Sequence, residues 1–245
     1  MSAGRHGPAR AFDIMTSCLL IPGLLSDTHV WAQVMVDLPQ PVIVAELFGQ
    51  DHITQMAHEC LAAVDGQIAV AGHSMGARVA LEMVRLAPGR IERLALLSTG
   101  IHPLKPGETQ RREEIVSLAY EQGMAALAER WLPPMVHCPD KDVMAGLTDM
   151  VLRMTPDIHE RQIRALVKRP EARAHLPSIT CPTLIMVGRQ DAWSPVAQHQ
   201  EIASLIPHSD LDIVEGAGHF LPVEQPDAVV DRLVPFLTAP DQNNS

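Results

Sequence analysis

The pentapeptide Gly72-His73-Ser74-Met75-Gly76 fits the pattern Gly-x-Ser-x-Gly, with strand character before it and helix character after it. Gln67 to Ala71 is a short, mostly apolar run, while Ala77, Ala80, Leu81, Val84 and Ala87 recur at helical spacing. A strand that turns abruptly into a helix strains the residue at the tip, and glycines two positions to either side leave room for the tight backbone. Ser74 is therefore expected at an exposed turn, where it is a candidate nucleophile.

A serine hydroxyl attacks poorly unless a base takes its proton and a carboxylate orients that base. Behind this kind of elbow they follow in the chain order Ser, Asp or Glu, His. The run Pro182 to Val187 ends in Gly188-Arg189-Gln190-Asp191, so Asp191 falls just past the carboxyl end of a strand, where open α/β sheets carry their ligand chemistry. Leu211 to Val214 leads into Glu215-Gly216-Ala217-Gly218-His219, whose glycines allow a tight loop presenting His219 to the same edge. Leu97-Ser98-Thr99, after the strand that follows the nucleophile helix, has no carboxylate, so Asp191 stands nearly alone as a candidate acid.

With these motifs in this order over most of its length, the chain resembles the α/β-hydrolase-fold serine hydrolases, in particular the small capped esterases and lactonases of that superfamily. The resemblance implies a catalytic set of Ser74, Asp191 and His219, with an oxyanion hole of two backbone N–H donors. Met75 supplies one donor and Leu24 the other, from the turn Pro22-Gly23-Leu24-Leu25 after the first core strand. Relatives usually carry His-Gly where this chain has Pro22-Gly23, and a backbone donor survives that change. The implied activity is hydrolysis of a small-molecule carboxylic ester through an acyl-enzyme, with no metal and no cofactor. The same triad also serves lactonases, C–C bond hydrolases and perhydrolases. A ligand sensor with a slow triad is the reading from a different class, and sustained turnover would separate the two. Serine rather than aspartate at the elbow argues against the dehalogenase and epoxide hydrolase relatives.

The elements that must position these groups are legible as alternating patterns. Strand-like runs lie near residues 16–21, 42–46, 67–71, 92–98, 182–187 and 210–214, with helical patterns between them. That alternation predicts an α/β fold, a mostly parallel sheet of about six strands with helices on both faces. The stretch before Cys18 is too short for the antiparallel strand pair with which many such relatives begin. At 245 residues and 47% apolar, the chain suffices for one core, expected at residues 14–101 and 179–238. Residues 1–13 and 239–245 read as flexible ends. No signal peptide or membrane span is evident. Four cysteines without CxxC spacing read as buried thiols of a reducing cytoplasm.

Residues 102–178 separate two predicted strands by far more than one βα connection needs, and by the resemblance they form a helical cap. Helical patterns cover 113–131, 141–154 and 159–169. This segment carries eleven basic and eleven acidic residues, so the net charge of −10 belongs to the core, and nucleic acid is an unfavourable partner. Arg161, Arg164 and Lys168 share a helical face, and Arg111 with Arg112 opens the cap; they suit a substrate carboxylate, but more readily a solvated face with Glu108, Glu113, Glu114 and Glu160. Trp131 and Met135 are candidate pocket residues among the apolar cap positions Met124, Leu132, Val136 and Met154, which also suit the cap's own core. His29 and His102 are the candidate pocket histidines, and His73 is tied inside the elbow.

Overall fold

The computed structural model describes residues 16–39 and 41–240. Six strands form one parallel sheet: β1 (Ser17–Ile21), β2 (Val42–Val44), β3 (Ile68–His73), β4 (Ile91–Leu97), β5 (Thr183–Gly188) and β6 (Ser209–Val214), in the spatial order β2-β1-β3-β4-β5-β6. All six expected strands are present, within two residues of their expected bounds. β3 and β5 are buried at every position, as continuous apolar strands covered by helices on both faces must be, whereas the edge strands β2 and β6 are only partly buried.

The chain leaves β1 outward to β2 and then returns to the other side of β1 to lay down β3. Connections diverge at that point, so a crevice opens beyond the carboxyl ends of β1 and β3. Crossover helices α1 (Ala32–Asp37), α2 (Ile53–Ala62) and α3 (Met75–Leu86) cover the first half of the sheet. The 3₁₀ turn Thr28–Trp31 before α1 buries Trp31, one of the largest fully buried side chains.

Between β4 and β5 run α4 (Glu108–Trp131), α5 (Lys141–Leu152) and α6 (Pro156–Val167). The α4 helix begins five residues before the expected start, after Gly107 in the left-handed region at φ 71°, and kinks at Gly123, whose φ of 83° and ψ of 173° are not helical. Asp140 caps α5 by accepting from the N–H groups of Asp142 and Val143, and Thr155 caps α6 ahead of Pro156. On α6, His159, Gln162, Ile163 and Leu166 form the buried stripe. The remaining helices are α7 (Val196–Leu205), α8 (Leu221–Glu224) and α9 (Pro226–Thr238).

Of the four cysteines, Cys18 and Cys60 are buried and Cys181 is partly so, but Cys138 is exposed, contrary to the expectation of four buried thiols. It lies in the loop between Met135 and α5, where no element covers it. The expected flexible segment 1–13 lies outside the described residues, as do residues 241–245. Ala239 and Pro240 are held through their carbonyls by the Arg93 guanidinium. Among the described residues no helix is long and apolar enough to cross a membrane.

Candidate active site

Ser74 stands between β3 and α3 with φ 55° and ψ −112°, a strained conformation for a residue with a Cβ. The strain is held in place on both sides. The Ser74 N–H donates to Leu97 O at 2.9 Å, and the Thr99 hydroxyl donates to Ser74 O at 3.0 Å. A Cβ on Gly72 would lie 2.5 Å from the Ala77 backbone, and one on Gly76 would run into the carbonyls of Ile21 and Pro22. Both glycines of the pentapeptide are thus required by close backbone approach.

The Ser74 Oγ lies 2.8 Å from Nε2 of His219, and Nδ1 of His219 lies 2.9 Å from Oδ2 of Asp191. The other Asp191 oxygen accepts from the N–H groups of Trp193 and Ser194 at 2.9 and 2.7 Å. Burial favours the neutral Asp191 carboxyl, but the His219 ring and the Ser194 N–H outweigh it and hold the group below the ordinary carboxylate value. An ionised Asp191 selects the His219 tautomer with its proton on Nδ1, leaving a lone pair on Nε2 toward the serine.

The loops carrying Asp191 and His219 are sewn together. Gln190 Oε1 accepts from the N–H groups of Gly216 and Ala217, and Gln190 N donates back to Ala217 O. His219 is pinned through its own backbone, its N–H donating to Met135 O at 2.7 Å and its carbonyl accepting from His73 Nε2 at 2.8 Å. The Glu224 carboxylate accepts from Gly218 and Phe220, the residues on either side, and from His137. Burial, together with repulsion from His219, lowers the His73 pKa to about 3, so at neutral pH the ring is uncharged and carries its one proton on Nε2, toward the His219 carbonyl.

The turn after β1 lies against the elbow. A Cβ on Gly23 would be 3.1 Å from the Ser74 Cβ, and Leu24 and Met75 both line the cavity at Ser74. Leu25 has φ 54°, and its N–H donates to Gln162 Oε1 at 2.9 Å, while Gln162 Nε2 donates to Leu47 O at 2.9 Å. One α6 side chain therefore ties down two core loops.

The cavity at Ser74, about 60 Å³, is lined by His102, Trp131 and Met135 among others. An outer chamber of about 460 Å³ shares Leu24, His102, Arg112, Trp131 and Trp193 with it. Three of the four candidate pocket residues are thus brought to the serine. His29 is not: it lies against α5, where a Cβ on Gly146 would lie 2.7 Å from its Nε2, on the turn that Asp27 caps. Arg161 and Arg164 pair with Asp157 and Glu160, and Lys168 with Asp51, as a solvated face does. Arg112 departs from that reading by lining both chambers.

Sequence reasoning missed Arg78, Trp193, Gln162, Gln190 and Glu224. Only Arg78 carried a usable signal, since it falls four residues after Ser74, one turn into the helix that begins there. The others act across loops whose approach no local pattern encodes. Among the described residues, no group of three or more His, Cys, Asp or Glu side chains is placed to hold a metal ion.

Known proteins resemble the chain over most of its length. A thermophilic esterase from Thermogutta terrifontis superposes with a TM-score of 0.83 at 26% identity, covering 91% of this chain and 90% of that one. The enol-lactonase from Burkholderia xenovorans shares the fold, with a TM-score of 0.81 at 24% identity over 96% and 94% of the two chains. In sequence, 3-oxoadipate enol-lactonase 2 of Acinetobacter baylyi is 27% identical over 188 residues, 74% of this chain and 68% of that protein. Residues 6–232 match the alpha/beta hydrolase family, and the chain belongs to it.

Proposed function

We propose that this protein hydrolyses carboxylic esters or lactones through an acyl-enzyme formed on Ser74. The observation that carries the reading is the line of two hydrogen bonds from Ser74 Oγ through His219 to Asp191, 2.8 and 2.9 Å long. His219 Nε2 takes the hydroxyl proton as Oγ attacks the substrate carbonyl carbon, and Asp191 stabilises the imidazolium that results. The Leu24 and Met75 N–H groups receive the negative charge that develops on the carbonyl oxygen. The tetrahedral intermediate collapses as His219 protonates the leaving alkoxide. Water then attacks the acyl-Ser74 ester, giving its proton to His219, and the carboxylic acid departs with the serine regenerated.

A lactone is an internal ester, so the same steps open its ring with the alcohol retained on the product. The resemblance to esterases and enol-lactonases supports both substrate types. The helical segment 102–178 serves as a cap: Trp131, Met135 and Leu166 from it wall the cavity at Ser74. Cap side chains accordingly select the substrate.

The test is a screen of p-nitrophenyl esters of increasing acyl length beside simple lactones, run with wild type and Ser74→Ala. We expect repeated turnover by the wild type and none by the variant, with little change in thermal stability because Ser74 is only partly buried. Covalent labelling of Ser74 by a fluorophosphonate should accompany it. A Ser74→Ala protein as fast as wild type would refute the proposal.

A further inference from the structure

Two guanidinium groups, Arg78 and Arg112, line the cavity at Ser74, and a third, Arg169, is joined to Arg112 through the Glu108 carboxylate. Glu108, at the start of α4, accepts from both terminal nitrogens of Arg169 at 2.9 and 3.0 Å and from Arg112 Nε at 2.9 Å. Its carboxylate is therefore fully engaged. Burial would raise the Glu108 carboxyl, but these partners pull it down to about 2, so it is ionised at neutral pH. Arg112 makes no further hydrogen bond among the described residues, which leaves its terminal nitrogens free, and it lines both chambers.

Arg78 is less compensated. It projects from α3 one turn beyond Ser74 and lines the inner cavity; among the described residues its one hydrogen bond is to His102 Nδ1 at 3.4 Å, and no carboxylate pairs with it. Burial and repulsion by Arg169 and Arg112 lower its pKa to about 9, still above neutrality, so it stays charged. A withdrawn cation without a counter-ion is costly. His159 adds a second unsatisfied group. It is fully buried, lines the outer chamber with Arg112, and neither of its ring nitrogens has a partner. The outer mouth continues the bias, with Lys105, Arg111 and Arg130 against Glu114. All this occurs in a chain of net charge −10.

We propose that Arg78 and Arg112, with His159 at the outer wall, form a carboxylate-binding subsite, so that the substrates are esters or lactones bearing a free carboxylate. The inference rests on the hydrolase reading of Ser74. Guanidinium forks match a carboxylate in two parallel hydrogen bonds. The apolar walls of Trp131, Met135 and Trp193 suit the short carbon chain that would link that carboxylate to the reacting carbonyl.

The test compares mono-4-nitrophenyl adipate with 4-nitrophenyl hexanoate, which carries a methyl where the first has its carboxylate. After correction for spontaneous hydrolysis, kcat/KM should favour the anionic ester by at least about tenfold in wild type, the scale of one charge-assisted hydrogen bond. That preference should collapse in Arg78→Met and Arg112→Met and be partly kept in Arg78→Lys. Adipate should raise the melting temperature of the wild type and of neither Met variant. No preference for the anionic ester, an unchanged preference in both Met variants, or stronger stabilisation by inorganic phosphate than by adipate would overturn the subsite. If neither ester turns over and a fluorophosphonate leaves Ser74 unlabelled, the hydrolase reading fails. The melting shift with adipate then decides the subsite alone: its absence in wild type overturns it, and its loss in both Met variants supports it. Should Arg78→Met not fold, Arg112→Met and Arg78→Lys carry the comparison.

Discussion

Gln162 and Leu25 stand 137 positions apart in the chain and share a buried hydrogen bond of 2.9 Å, from the Leu25 N–H to the Gln162 side-chain oxygen. The amide nitrogen of the same side chain donates to Leu47 O. Leu25 follows the proposed oxyanion donor Leu24 and sits at positive φ, so a helix between β4 and β5 holds a strained turn of the core.

Gln162→Leu should therefore act on both stability and rate. It strands the Leu25 N–H and the Leu47 carbonyl in the interior, at a cost of about 1–3 kcal/mol for each unsatisfied group. With the turn released, kcat should fall more than KM rises, because an oxyanion donor acts in the transition state. Denaturant unfolding and steady-state kinetics on a p-nitrophenyl ester check the two effects; normal stability with normal kcat would show that the turn holds itself.

Asp191→Asn should keep the loop, since the remaining side-chain oxygen can still accept from Trp193 and Ser194. The amide nitrogen turned toward His219 Nδ1 favours the wrong tautomer and removes the negative charge. Turnover should drop by up to about ten-thousand-fold, as in the best-studied serine triad. Near-normal activity in a folded Asp191→Asn protein would mean that another carboxylate does this work.

Gly76→Ala tests the elbow itself. The new methyl would meet the carbonyls of Ile21 and Pro22, backbone atoms that cannot rotate away. We expect a destabilisation of about 1–3 kcal/mol or more, the range of overpacked cores, with activity lost through displacement of Ser74 from His219. A fully stable and active variant would show that the β1 end yields more easily than its packing implies.

His199 makes stability fall in acid. Its Nε2 accepts from the Thr99 N–H at 2.8 Å, so the ring must be neutral, and burial lowers its pKa to about 4 despite the Pro195 carbonyl and Asp191 nearby. The unfolded chain binds this proton near pH 6.5 and the folded chain near 4, so the stabilisation is complete above about pH 6.5 and is lost as pH falls toward 4. His73 and His159, lowered to about 3 and about 4, act in the same direction. In His199→Gln the slope of unfolding free energy against pH should decrease by about one proton, or about 1.4 kcal/mol per pH unit, across this window. An unchanged slope would show that Thr99 and His199 separate freely.

The six strands, the elbow at Ser74 and the loop ends at Asp191 and His219 were legible in the sequence because each is a local pattern: an apolar run, then glycines or a turn, then the polar residue. Strand and helix periods are set by residues within a few positions of one another, and the doubly wound topology follows from their alternation. The position of His29 beside Gly146 was not legible, because α5 follows it by more than a hundred residues. The same limit hid Gln162 from Leu25, Glu224 from His137, and Arg78 from Arg112 and Glu108 until the helices between β4 and β5 were laid over the sheet. Local chemistry determines which groups are presented at the carboxyl edge. Only tertiary packing decides which distant groups satisfy them and which charges it leaves unpaired beside Ser74, because buried polar groups are paired by proximity in space rather than along the chain.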